Sequence, residues 1–593
     1  MKRNGLWIAC ACMAVFTSCI KQEFDQKVQE QIKENAATIF GTQFDANHDW
    51  CTTTRSAVTI YANTTSHNVV KAQVLISDEQ DGNIAIRVLN EGRITNGEHI
   101  TLAFDAPVNY SNLLVAFVSE DGGYYYSPFA LGDEEVFFDT TTRAATRALS
   151  ENYVLPAATP VVSSTVATFA NERGWLPGEV FYTFDNASIA GTDYSSDFKT
   201  LFRTIIFNYF PNGRKYNNLT QIKKSGYYNE SVYPLTTGSE PIILSPIYKN
   251  DGGYHEISEA ELYYYYFKGD LTVEQIEALP KYRAIDLSTV YTNNNNDNVA
   301  KGPAFALAYF GDGIPAVGTT GTYQFPQGYK IGFAYKSNTT TDNRRKQGEV
   351  YGDGRLNYNI NSYGNFASSG LADTDPRMAW MTVNNHMFLC VESGTDKDFN
   401  DLILEVEGGI EPIEIIPDEP EYNYYTFCFE DHNLGDYDLN DVVLKGRRVN
   451  ETQVEYTLMA CGAYDELYIY NIDGTTIRHD REVHDILGQP RGTYINTEKG
   501  KRVEYVVDNV TVSKDFSFLD ATTQPYIVDT TIGNTVRLAT VGQDPHAIMI
   551  PYDFKWPLEK VCIKDAYSMF NNWGASRTTS TDWYKHPDEE QTF

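Results

Sequence analysis

Short runs that alternate apolar and polar residues, punctuated by glycine turns, constrain this chain more than any other feature. Val58-Thr59-Ile60-Tyr61, Lys71-Ala72-Gln73-Val74-Leu75-Ile76 and Ile84-Ala85-Ile86-Arg87-Val88 follow the period of two that a half-buried strand requires. Asp81-Gly82, Asn96-Gly97 and Asp121-Gly122 stand between such runs, where glycine accepts positive φ without steric penalty. Further strand-like runs follow at Phe305 to Phe310, Tyr329 to Tyr335, Met378 to Val383, His386 to Val391 and Leu402 to Val406. The 42 tyrosines and 42 glycines, with abundant Thr and Asn, are the usage of strands and turns rather than of helices. The expected fold class is all-β and multidomain, built from β-sandwich or jelly-roll-like domains.

A chain of 593 residues exceeds what one hydrophobic core accommodates. Residues 45–139 read as a β-sandwich, and the Thr- and Ala-rich residues 140–153 as a linker. Residues 154–300 form a mixed, aromatic-rich region. Within it, Asp197 to Phe207 suits a short helix or strand, and Leu271 to Leu279 reads as a helix capped by Thr272. Tyr263 to Tyr266 read as the two faces of one buried strand rather than as a platform for sugars. Two further β domains are expected, at 301–409 and 422–593, with an acidic, proline-containing linker at 410–421 between them. Cys51, Cys390, Cys428, Cys461 and Cys562 are scattered without a CxxC pair, which points to buried free thiols, with room for one bridge, rather than to a disulfide framework or a structural zinc site.

The first residues have the form of an export signal. Lys2 and Arg3 precede an apolar run from Leu6 to Phe16, too short to span a bilayer, and then Thr17, Ser18 and Cys19. Ser18-Cys19 resembles a lipobox, which implies a signal peptide over 1–18, lipidation of Cys19, and an anchor and stalk over 19–44. A diacylated terminus holds a protein to a membrane far more firmly than a single chain does. Ile20 to Asp25, a lysine followed by acids, resembles the signal that places Bacteroides lipoproteins on the outer face of the outer membrane. Phe24, Val28, Ile32, Ala36 and Ile39 fall near one helical face, expected to form the stalk or to pack on the first domain.

Removing residues 1–18 deletes Lys2 and Arg3 and no acid, which moves the formal charge from −32 to −34. Such acidity excludes the basic footprint of a nucleic-acid-binding protein and disfavours attraction to anionic lipid, while it suits divalent cations. No second apolar stretch of membrane length follows.

One short frame occurs twice. Asp396-Lys397-Asp398-Phe399-Asn400-Asp401 precedes the strand Leu402 to Val406, and Asp436-Tyr437-Asp438-Leu439-Asn440-Asp441 precedes Val442 to Leu444. Each follows a strand that ends in acid, at Glu392 in the first copy and at Glu430-Asp431 in the second. D-x-D-x-N sets three oxygen-bearing side chains at alternate positions, and a tight loop can converge them on one point. Hard cations such as Ca²⁺ take six to eight oxygen ligands from carboxylates, amides and carbonyls. Without a cation, crowded carboxylates repel one another and raise their own pKa values. The EF-hand reading fails, because position 6 is Asp401 or Asp441 instead of Gly and the residues that follow alternate as a strand. Candidate ligands are therefore Glu392, Asp396, Asp398, Asn400 and Asp401 at one site, and Glu430, Asp431, Asp436, Asp438, Asn440 and Asp441 at the other. The second copy has more acids and Gly435 in its loop, so it is expected to bind the tighter calcium ion.

The stretch from Gly328 to Asp401 resembles a calcium-associated β domain of unknown function found in bacterial surface proteins and adhesins. Phe427 to Tyr584 resembles the LruC-type domain of bacterial lipoproteins. Its opening F-E-D-x-x-x-x-G-D-Y-D-x-N-D runs from Phe429 to Asp441, and its closing elements are His546-Ala547-Ile548, Trp556-Pro557-Leu558-Glu559, Ala566-Tyr567, Phe570, Trp573 and Asp582-Trp583-Tyr584. Phe40-Gly41 through Asn47-His48-Asp49-Trp50 is similar to the start of Bacteroides members of that group. The resemblance implies a surface location and a cation; it does not supply an enzymatic activity.

His479 and His484, among Asp480, Glu482 and Asp485, lack metalloprotease spacing and read as surface polar groups. No nucleophile elbow, phosphate-binding loop or dinucleotide fingerprint occurs. The expectation is an outer-membrane lipoprotein facing the cell exterior, with two calcium sites, no catalytic residues, and a glycan or protein ligand or a role in envelope assembly. The alternative is a secreted glycan-active enzyme, or a glycan-binding component of nutrient uptake, with paired acids in residues 154–300.

Overall fold

The computed structural model describes residues 31–139 apart from 64–67, 81–82 and 111. It describes 155–337 apart from 166–179, 187, 190–192, 210–222, 226–232, 251–259, 273–274, 277, 291–298 and 301. Beyond these it describes 359–361, and 378–593 apart from 385, 393–398, 414–418, 433, 473–474, 477–480, 501 and 507–509. The export signal, Cys19, the linker 140–153, Asp396 and Asp398 lie outside the described residues. Among the described residues the strands make six sheets with few helices, and the all-β expectation holds. No described helix is long and apolar enough to cross a membrane.

The first sandwich matches the alternation. Thr53–Asn63 pairs antiparallel with His99–Pro107 and parallel with Glu135–Asp139. Facing this sheet, Val69–Gln80 lies between Asn83–Arg93 and Asn112–Ser119, with Tyr124–Ala130 beyond. Val58, Ile60, Val74, Ile76, Leu102, Phe104, Val115 and Phe117 fill the space between the sheets. Gly97 and Gly122 have φ of 86°, as the expected turns require.

The boundary expected at residue 300 runs through two shared sheets. One has the order Lys223–Ser225, Met378–Val383, His386–Val391, Leu402–Glu407, Ile243–Lys249, Phe305–Ala306. Its partner has the order Asn359–Asn361, Tyr329–Ser337, Ala260–Lys268, Lys281–Asp286, Val180–Thr183, Val161–Thr165. A single core containing Leu244, Tyr264, Tyr266, Tyr282, Phe333, Trp380 and Leu404 joins the two sheets. The aromatic-rich region and the domain after it are thus one sandwich, because strands distant in sequence complete each other's sheets. All four residues Tyr263–Tyr266 are buried, as expected for one strand inside this unit. Ser196–Tyr209 is a helix, and with residues of the first sandwich it covers the outer face of the first of these sheets through Phe202, Phe388, Leu114 and Tyr126. The helix expected over Leu271 to Leu279 is described only in part, where the Ile276 N–H bonds Thr272 O and Thr272 and Gln275 cap each other.

In the last domain Tyr424–Phe429, Val442–Asn450 and Gln453–Ala460 form the centre of a sheet, with Ala547–Ile550 next to the first. A smaller sheet of Leu467–Ile472, Tyr526–Asp529, Asn534–Val536 and Thr475–Thr476 packs on one face. Short helices Ile563–Ala566 and Phe570–Ala575, with Trp556, Trp573 and Trp583 fully buried, pack on the other. These tryptophans are core anchors, as expected. Cys390, Cys428, Cys461 and Cys562 are free and buried, and Cys51 is free but exposed.

The N-terminal segment corrects the sequence reading. Residues 31–40 are helical, but Ala36 and Phe40 pack against the last domain, not the first. Phe40 lies 5.0 Å from the Tyr437 ring and 5.7 Å from Phe570. His48 Nε2 is 3.0 Å from Trp573 O, and the Trp50 indole N–H donates to Gln543 O at 2.8 Å. The linker at 410–421 is also docked. Glu419 pairs with Lys71, Glu421 pairs with Arg87, and Glu421–Tyr422 adds a parallel strand beside Arg87 and Val88 of the first sandwich.

Candidate metal centre

Both copies of the frame are antiparallel hairpin loops in the interior of a sheet. Val391 faces Leu402 in the first, and Phe429 faces Val442 in the second. The next residue, Glu392 or Glu430, is fully buried at the strand end. Each turns its carboxylate back to the loop. Glu392 Oε2 accepts the Phe399 N–H at 3.1 Å; Glu430 accepts the Tyr437 N–H at 3.2 Å and the Leu439 N–H at 2.5 Å.

The described residues that stand between the acids take a left-handed backbone. Phe399, Tyr437 and Leu439 have φ of 57°, 57° and 54°. That conformation costs roughly 1–2 kcal/mol for each non-glycine residue. Burying an apolar side chain of this size contributes roughly 1.5–3 kcal/mol, enough to offset it. Phe399 packs with Phe388 and Ile403, and Tyr437 and Leu439 pack with Phe40 and Phe570. The apolar side chains are the anchors, and in the second copy the acids are what the loop presents.

In the second copy, Glu430, Asp436 and Asp438 each offer a carboxylate oxygen, all within 4.8 Å of one another. Asp438 is buried while Asp436 is exposed, so the cluster is closed below and open above. Asn440 donates its amide N–H to Pro557 O at 3.1 Å, which leaves its buried Oδ1 without a hydrogen-bond partner. The segment after Trp556 clamps the loop: Lys560 N–H donates to Asp438 Oδ2 at 2.7 Å, and Ile563 N–H to Tyr437 O at 2.8 Å. Two glycines are required by close approach. A Cβ on Gly435 would lie 2.2 Å from Glu430 Oε2, and one on Gly462 would lie 2.0 Å from Asn440 Oδ1.

Charge crowding has the expected effect. Burial, with the negative charge of Asp438 and Asp436, holds Glu430 well above the usual carboxylate range. Burial and Asp436 push Asp438 up to about 8. Asp441 is raised by desolvation and by Glu430, Asp431 and Asp438. A divalent cation would remove this strain by neutralising the cluster. The donors are all oxygen, and the same loop carries an orphaned buried amide oxygen, so the residues present fit a hard cation.

The structure does not bring all the expected ligands of the second copy together. Asp431 belongs to a different group, with His432, Asp465 and Asp529. Asp441 accepts the Asp431 N–H through Oδ2 at 2.8 Å. Sequence reading also missed Glu559, whose carboxylate is raised by burial and by the charge of Asp436, and which in turn raises Asp438. Its Oε2 would lie 3.0 Å from a Cβ on Gly462, against 2.0 Å for Asn440 Oδ1. Glu559 lies more than a hundred residues from the loop, and only its place in the Trp556-Pro557-Leu558-Glu559 motif was available as a signal. In the first copy, Asn250 donates its amide N–H to Asn400 Oδ1 at 3.1 Å and its backbone N–H to Asp401 O at 2.8 Å.

His484 departs from its surface reading. It is fully buried, with Nδ1 2.6 Å from Glu482 Oε1 and Nε2 3.6 Å from Cys461 Sγ. Burial raises the Cys461 thiol well above its ordinary value, the opposite of what a nucleophile requires. His479 lies outside the described residues.

Residues 539–584 match the family described as Domain of unknown function (DUF4842). This is the segment that supplies Pro557 O, Glu559 and the Lys560 N–H to the loop. A solved structure from Bacteroides ovatus, of a protein named as a lipoprotein, aligns at 13% identity over 44% of this chain and 90% of its own, with a TM-score of 0.21, too low to carry an argument. No curated protein matches the chain.

Proposed function

We propose that this chain is a lipoprotein of the outer cell surface, anchored through Cys19, whose LruC-type last domain is held together by a calcium ion. Glu430, Asp436, Asp438 and Asn440 are the ligands from the loop, with Glu559 beside them. A weaker calcium site uses Glu392, Asp396, Asp398, Asn400 and Asp401. The observation that carries the reading is the convergence of Glu430, Asp436 and Asp438 within 4.8 Å, in the loop that also carries the unpartnered Asn440 Oδ1. The ion is structural: it neutralises buried carboxylates and ties the hairpin loop to the segment from Trp556 to Ile563. The role is binding or assembly at the surface, toward a glycan or protein, without catalysis.

Thermal melts of the purified chain test the calcium reading. Binding to the folded state alone adds about 2.7 kcal/mol when free calcium is 100-fold above Kd. Millimolar calcium should therefore raise Tm by several degrees over chelator, and identical melts would remove the ion from the account. Labelling with a fatty-acid analogue tests the anchor: Cys19→Ser should lose the label that the wild type carries.

A further inference from the structure

A second cluster lies at one end of the last sandwich, apart from the D-x-D-x-N loop. Asp431 follows the strand Tyr424–Phe429 of the larger sheet, whereas Asp465 precedes Leu467–Ile472 and Asp529 ends Tyr526–Asp529 in the smaller one. Asp431, His432, Asp465 and Asp529 each offer one ligand atom, all within 4.8 Å of one another. His432 Nε2 lies 3.0 Å from Asp465 Oδ2 and 3.7 Å from Asp431 Oδ1. Around a tetrahedral ion with bonds of about 2.0–2.2 Å, ligand atoms stand roughly 3.3–3.6 Å apart, between these two values.

Asp529 supplies an observation independent of the clustering. Its side chain is completely buried. Oδ1 accepts the Thr531 N–H at 2.7 Å and the Ile532 N–H at 3.3 Å, but Oδ2 has no hydrogen-bond partner. A buried carboxylate oxygen without a donor is strongly disfavoured unless a cation compensates it. His432 is exposed, which leaves a path for an ion to enter.

We propose that Asp431, His432, Asp465 and Asp529 form a separate site for a transition-metal dication of the zinc class, stapling the two sheets of the last domain. The imidazole decides the class. Calcium takes oxygen ligands, six to eight of them, whereas one histidine with three carboxylates is a complete shell for zinc. Glu430 and Asp431 are adjacent in sequence, and each serves a different ion.

The test is calorimetric titration of the untagged full-length chain with zinc chloride in excess calcium. The expected result is one zinc per chain, with His432→Ala weakening it at least tenfold and leaving the calcium-dependent melt unchanged. His432 is exposed, so the variant folds even if Asp529→Asn does not. Zinc binding that calcium abolishes, an absence of binding in the wild type, or equal affinity in His432→Ala would each overturn the proposal. If zinc binds while melts show no calcium effect, the calcium reading falls and this one stands.

Discussion

The two hairpin loops share a frame, and their tertiary settings differ. Among the described residues of the first, Glu392 accepts the Phe399 N–H, and Asn250 donates to the Asn400 side-chain oxygen. In the second, Glu430 holds two loop N–H groups, and Asn440 spends its amide N–H on Pro557 while its oxygen stays unpartnered. Asn250, just past a neighbouring strand, bonds Asn400 and Asp401 of the first copy; the second loop is clamped by a segment more than a hundred residues downstream. The same position of the pattern thus carries a bonded amide oxygen at Asn400 and an unpartnered one at Asn440. What surrounds a motif decides whether its ligands are available.

The largest expected effect distinguishes the two glutamates. Glu430→Ala orphans the Tyr437 and Leu439 N–H groups, and a buried unsatisfied donor costs roughly 1–3 kcal/mol. Glu392→Ala orphans the Phe399 N–H, and urea unfolding at chelated calcium compares the two losses. Equal losses would mean that the two loops are supported alike.

Next in size is the cation itself. Asp438→Ala should remove the tighter phase of a calcium titration and most of the calcium-dependent stabilisation, about 2.7 kcal/mol at 100-fold saturation. Asp398→Ala should remove only the weaker phase. A variant that erases both phases would show one shared site.

The pH dependence sharpens the same contrast. Unfolded aspartates lose their protons near pH 4, while folded, cation-free Asp438 keeps its proton up to about pH 8. Across that window the folded chain binds more protons than the unfolded one, so stability in chelator falls as pH rises from 4 to 8. Calcium needs the deprotonated ligands, so its presence should remove the fall. Urea midpoints at pH 5 and pH 8 measure this, and Asp438→Asn should flatten the slope where Asp398→Asn leaves it.

The smallest effect concerns Asn250. Asn250→Ala removes one side-chain hydrogen bond from the first loop, worth about 1 kcal/mol. It should also remove that donor from the Asn400 oxygen and tighten the weaker calcium phase. No change in that phase would show that the Asn250 contact does not limit the first site.

Much of this molecule was legible in its sequence because the relevant physics is local. Alternation specified strands, since a strand buries every second side chain, and Tyr263–Tyr266 read correctly as a strand buried on both faces. D-x-D-x-N marked the oxygen cluster, because alternate residues fall on one side of a tight loop. Tertiary structure alone decided the rest. Residues 154–300 and 301–409 share their sheets because backbone N–H and C=O groups pair across any sequence distance. Asp431 parts from Glu430 because neighbouring residues at a strand end point to opposite sides, and only the packed sandwich brings Asp465 and Asp529 to the side that Asp431 faces. Glu559 reaches the loop for the same reason: a shared site is made by chain segments that meet only after folding.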